Sequence, residues 1–136
     1  MEGTLRGTIG FGGSTLADDS ARVRAELSRQ GVEAPVVHAV DLALEELVTN
    51  ALRHGRGPAA RRVHWHVAVG RASVVLTLED EFEEFDPLGR PLPPPMSTLE
   101  TAALGGRGLA MVRALAPDLR HERTPSGNRL ILTVPR

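Results

Sequence analysis

Glu45-Glu46-Leu47-Val48-Thr49-Asn50-Ala51-Leu52-Arg53-His54-Gly55 is the stretch on which the reading of this chain turns. It completes an apolar pattern in which Val37, Val40, Leu44, Leu47, Val48 and Ala51 recur at three- and four-residue intervals. That spacing predicts a helix with one buried face, opened by Pro35 in its first turn and closed by Gly55. Glu46, Asn50 and His54 then follow one another at four-residue steps and emerge together as a polar stripe. An amide oxygen so placed can help hold a hard cation such as Mg²⁺, and a carboxylate can take a proton from a nucleophile or water. A solvent-facing stripe on an amphipathic helix has the same appearance, so the rest of the chain has to decide between them.

Working outward, residues 4–11 mix β-branched and apolar side chains and stop at Gly12-Gly13, which predicts a strand with a glycine exit. Ser14 can cap a first helix that carries Leu16, Val23 and Leu27 and ends at Gly31. Beyond the central helix, residues 62–69 and 72–78 predict two antiparallel strands joined through Gly70-Arg71. Residues 88–104 hold Pro91 and the run Pro93-Pro94-Pro95, a composition for an irregular loop. A short helix from Arg107 to about Ala116 and strands over 119–123 and 129–134 complete the order. The expected architecture is an α+β two-layer sandwich, with a mixed, mostly antiparallel sheet covered on one face by helices.

Composition narrows the function classes. The chain has 136 residues, 41% of them hydrophobic, which suits a single domain over 1–136 with one core. Its net charge is −1 with both signs interspersed, so no polybasic face offers direct nucleic-acid binding. Cysteine is absent, which removes disulfides, thiolate nucleophiles and cysteine-ligated zinc. No leader and no stretch long enough to span a bilayer is legible, and a cytoplasmic protein away from the membrane is expected. Every basic residue is arginine, so a P-loop with its lysine is excluded.

Two further motifs carry chemistry. Asp80 follows an apolar run at a strand end, where a carboxylate can accept a hydrogen bond from an amino group such as that of adenine. Glu79, Glu81, Glu83 and Glu84 surround it, and acidic residues at strand ends are commonly just solvated. Gly105-Gly106-Arg107-Gly108-Leu109 joins the proline-rich loop to the next helix, placing free amides and the positive end of a helix dipole together, a setting for phosphate. The glycines also suit a plain hinge. His64 and His66 share one strand face at a metal-compatible spacing, with no third ligand in view, so exposed strand positions explain them better.

In this order, the motifs resemble a known family. Residues 45–55 resemble the N box of the GHKL ATPases, the superfamily of histidine kinases, gyrase and MutL; residues 80–87 resemble the adenine-binding box, and residues 105–109 the glycine box. The Phe85-Asp86-Pro87 ending and the tail Gly127-Asn128-Arg129-Leu130 are similar to those of the short anti-sigma-factor serine/threonine kinases. The resemblance covers nearly the whole chain and implies a Bergerat-type fold. It implies Glu46 as general base, Asn50 as Mg²⁺ ligand, and His54, Asp80, Gly105, Gly106, Arg107, Gly108 and Leu109 around ATP, under a lid at about 88–104. It also implies a kinase that phosphorylates an anti-anti-sigma (STAS) partner, sequesters a sigma factor, and commonly dimerises. One position departs from the family: its adenine box usually reads D-x-G, and this chain has Asp80-Glu81-Phe82. Phe82 either narrows the pocket or swings out of it. That motivates an alternative, a catalytically weak or nucleotide-independent binding module that regulates a sigma factor by partner switching. A detached histidine-kinase catalytic domain is a third possibility.

Overall fold

Alternation of side chains along three strands sets the layers. On β2 (Arg62–Val69), Val63, Trp65, Val67 and Val69 are buried; on β3 (Ser73–Asp80) the same face carries Val74, Leu76 and Leu78. On β5 (Asn128–Pro135) it carries Leu130, Leu132 and Val134. With β1 (Gly3–Gly10) and β4 (Arg120–Arg123) these form one five-stranded sheet in the order β1-β2-β3-β5-β4. This computed structural model describes residues 3–10, 12–54, 62–82 and 106–136.

The helices α1 (Leu16–Arg29), α2 (Ala34–His54) and α3 (Gly106–Leu115) supply the second layer. α2 packs against both other helices and against β2, β3 and β5. Val40, Leu44, Leu47 and Val48 of α2 meet the strand residues in one cluster, joined by Val23 and Leu27 of α1 and Val112 of α3. Burying each such side chain is worth about 1.5–3 kcal/mol, so the helical stripe read from the sequence is the main reason α2 lies where it does.

The two-layer α+β expectation holds, with two refinements. The strand ladders are all antiparallel rather than mixed. The cap of α1 is Thr15, whose side chain accepts from the Asp18 amide at 3.1 Å, and not Ser14. Ser14 is engaged elsewhere: its amide donates to the Thr8 carbonyl at 2.8 Å, which ties it to β1 and moves the helix start one residue on.

Trp65 fastens the sheet to α1. Its indole N–H donates to Asp19 Oδ2 at 2.7 Å, and both residues are 2% exposed. Gly7, its register partner on β1, leaves the indole this route, since a Cβ there would come within 2.6 Å of both the ring and the Asp19 carboxylate. The Arg22 guanidinium lies 5.2 Å from the ring centroid. Asp19→Ala leaves a buried indole donor unpaired and is expected to destabilise the fold by about 1–3 kcal/mol, measured as a lowered urea midpoint with unchanged slope.

Candidate nucleotide site

Arg136 sets the direction of α2 relative to the sheet. Its guanidinium donates to the Gly70 carbonyl at 2.9 Å and the Gly31 carbonyl at 3.3 Å, and pairs with Glu33 at 3.2 Å. The start of α2 is thereby held beside the β2–β3 turn, at the sheet end opposite Asp80. At about 1.5 Å rise per residue, Asn50 lies ~24 Å along α2 from Ala34. At about 3.4 Å per residue, Asp80 lies ~24 Å along β3 from Ser73. The two lengths are equal, so a helix lying along β3, on which α2 packs, carries Asn50 toward the Asp80 end of the sheet.

Rotation about α2 fixes the edge on which the stripe emerges. Asp41 faces α1, where its carboxylate accepts from the Ser20 hydroxyl and lies 3.7 Å from Arg24 Nε. Glu46 and Asn50 follow at roughly 140° and 180° round the helix, away from α1. Glu45 stays on the α1 side. Partial burial, then the nearby Asp41 carboxylate, push its carboxyl above the ordinary range, with Arg24 opposing.

Asn50 stands out on this edge. Its side-chain Nδ2 is buried and has no hydrogen-bond partner among the described residues. A buried amide left so costs about 1–3 kcal/mol, and native interiors satisfy nearly all such groups. Glu46 beside it is half-buried. His54 is the last residue of α2, and its side chain lies outside the description.

Asp80 is held as a one-sided acceptor. Its Oδ1 takes hydrogen bonds from the Phe82 amide at 3.0 Å and from Asn128 Nδ2 at 2.9 Å, while Oδ2 has none among the described residues. Asn128, 2% exposed, is itself fixed through its Oδ1 by His121 Nε2 at 3.0 Å and Arg123 Nη1 at 3.4 Å. Arg123 also donates to the Phe82 carbonyl at 3.0 Å. Gly127 completes the fastening: a Cβ there would overlap the Asp80 carbonyl oxygen and approach its carbonyl carbon to 2.6 Å. The Phe82 side chain turns into the apolar core and is 2% exposed, so it does not swing out to solvent.

These supporting residues were missed as site residues in the sequence. Only the run Gly127–Leu130 hinted at them, and nothing local says that a hairpin 48 residues beyond Asp80 bonds its carboxylate. Other expectations fall elsewhere. Gly106, Arg107, Gly108 and Leu109 form the first turn of α3, with side chains outside the description, and α3 packs on α2. Gly105, Glu83, Glu84 and the expected lid at 88–104 lie outside the described residues. His64 and His66 form no metal-binding group among the described residues, and no described helix is long and apolar enough to cross a membrane.

Comparison with known proteins places the fold. Over 93 residues the chain is 33% identical to the serine/threonine-protein kinase BtrW of Bordetella bronchiseptica, spanning 68% of this chain and 63% of BtrW. Among solved structures, the histidine kinase domain of the blue-light-activated histidine kinase EL346 from Erythrobacter litoralis matches with a TM-score of 0.56. That match has 16% identity and covers 88% of this chain and 60% of the other, a likeness of fold alone. Residues 16–134 match the histidine kinase-like ATPase domain, a family whose members use ATP. The chain thus belongs to the histidine kinase-like ATPase family of the GHKL superfamily.

Proposed function

We propose that this chain is an anti-sigma factor with serine/threonine protein kinase activity, which passes the ATP γ-phosphate to a STAS-type anti-anti-sigma partner and sequesters a sigma factor. The observation that carries the reading is the buried Asn50 Nδ2, without a partner among the described residues, on a helix packed against the strand whose Asp80 carboxylate keeps one oxygen free of them. A kinase-type, ATP-using domain is what the family and the similarity to BtrW support; the serine/threonine acceptor, both partners, homodimerisation and a cytoplasmic setting belong to the proposal.

The residues fit Mg-ATP. Asn50 presents an amide whose oxygen can hold Mg²⁺ and whose nitrogen awaits an acceptor. Asp80 Oδ2 would accept from the adenine amino group, and the carboxylate cannot rotate freely because Oδ1 is bonded twice. Glu46 would accept the proton of the attacking hydroxyl, half-buried one turn from Asn50. Bound Mg-ATP supplies the γ-phosphoryl group and charge neutralisation, which leaves positioning as the protein's main task.

Phe82 favours a second reading. Where the family has glycine, its ring is locked into the core, and a pocket narrowed there would leave a binding module of weak catalysis that acts by partner switching. Transfer assays separate the two. With Mg-[γ-³²P]ATP and a candidate STAS-domain protein as acceptor, wild type should label a serine or threonine, and Glu46→Ala should reduce the rate by about 10²-fold or more. Undiminished capture of the partner without nucleotide, and no label, would support the module instead.

A further inference from the structure

The face of the sheet away from the helices holds a cavity of about 470 Å³, lined among others by Arg6, Thr8, His64, His66, Thr77 and Glu79. These residues form two cross-strand rows. Thr8, His64 and Glu79 are register neighbours on β1, β2 and β3, and so are Arg6, His66 and Thr77. The first row is internally satisfied: Thr8 Oγ1 is hydrogen-bonded to His64 Nδ1 at 2.9 Å, His64 Nε2 lies 3.5 Å from Glu81, and Glu79 accepts from Arg129 Nε at 3.0 Å. In the second row the guanidinium of Arg6, the imidazole of His66 and the hydroxyl of Thr77 have no side-chain partner among the described residues.

Directly opposite residues in a ladder hold their Cβ atoms about 5 Å apart, so three unused donors stand side by side on rigid strands. The Arg6 fork suits two oxygens of an oxyanion, and His66 and Thr77 can each donate to a third. A carboxylate has only two oxygens, whereas a phosphate monoester has three outside its ester bond. Glu79, the carboxylate among the lining residues, is already ion-paired with Arg129, which Glu122 shares. The volume exceeds that of the phosphate alone and leaves space for a small organic group.

We propose that Arg6, His66 and Thr77 form a binding site for a small phosphate monoester, on the opposite face of the sheet from the nucleotide site. The test is titration of ¹³C-imidazole spectra with inorganic phosphate and with glycerol 1-phosphate, against sodium chloride at equal ionic strength, assigning His66 through His66→Gln. The His66 signals should move saturably with both phosphates, and more tightly with the ester, while those of His121 stay in place. Arg6→Ala should weaken the interaction at least five-fold and Thr77→Val at least two-fold, both on folded protein as judged by circular dichroism, with Asn50→Ala leaving it unchanged. A shift that fails to saturate, that chloride reproduces, that survives Arg6→Ala and Thr77→Val, or that Asn50→Ala abolishes would overturn the proposal.

Discussion

Gly127→Ala should unfold the Asp80 end of the sheet at temperatures where the parent is stable. The added methyl has nowhere to go: it would overlap the Asp80 carbonyl oxygen and sit 3.0 Å from the Glu81 Cα, both backbone atoms that no rotamer change can move. Relief requires the β5 start to part from the β3 end, which breaks the Asp80–Asn128 register pair and the bond between their side chains. The expected cost is about 3 kcal/mol or more, a fall in melting temperature on the order of 10 °C for a chain of this size. Thermal unfolding by circular dichroism reads it. A parent-like melting temperature would mean that the hairpin is looser than its hydrogen bonds imply.

Asn50→Ala should behave in the opposite way, harmless to the fold and damaging to the ligand. The residue brings a buried donor with no partner among the described residues, so its removal takes away a desolvated polar group and no described hydrogen bond. Stability should stay within about 1 kcal/mol of the parent or rise slightly. Mg-ATP affinity, in contrast, should fall at least about ten-fold, near 1.4 kcal/mol, because no described residue satisfies the amide and the ligand would. Paired denaturation and binding curves on one preparation give both numbers. A large loss of stability with unchanged affinity would make Asn50 an ordinary structural residue.

The two variants mark where the sequence was legible and where it was not. α2 was readable because Val40, Leu44, Leu47 and Val48 repeat at the helical period, and the same period carries Glu46 and Asn50 to one edge. β2 was readable to the residue, since alternation is strict from Val63 to Val69. β3 runs two residues beyond the apolar pattern, to Asp80, because β2 and β5 pair with it on both sides and extend the ladder past its hydrophobic part. The support of Asp80 was not readable: Gly127, Asn128, His121 and Arg123 converge on it through tertiary pairing, which no local periodicity encodes. Phe82 was readable as a departure from the family pattern, but its direction was not, because an aromatic next to a strand end can face either layer; the core claimed it. The cap of α1 was placed one residue early because serine is by type at least as good a cap as threonine, and only the bond from Ser14 to β1 decides for Thr15.

The central claim is that the Asn50 edge of α2 and Asp80 at the end of β3 bound a single nucleotide site. Calorimetric titration with Mg-ADP tests it most directly, on the parent chain, Asn50→Ala and Asp80→Asn. The account predicts one saturable site in the parent, weakened at least about ten-fold by either substitution. Absence of binding heat in the folded parent, or an affinity that neither substitution alters, would contradict it.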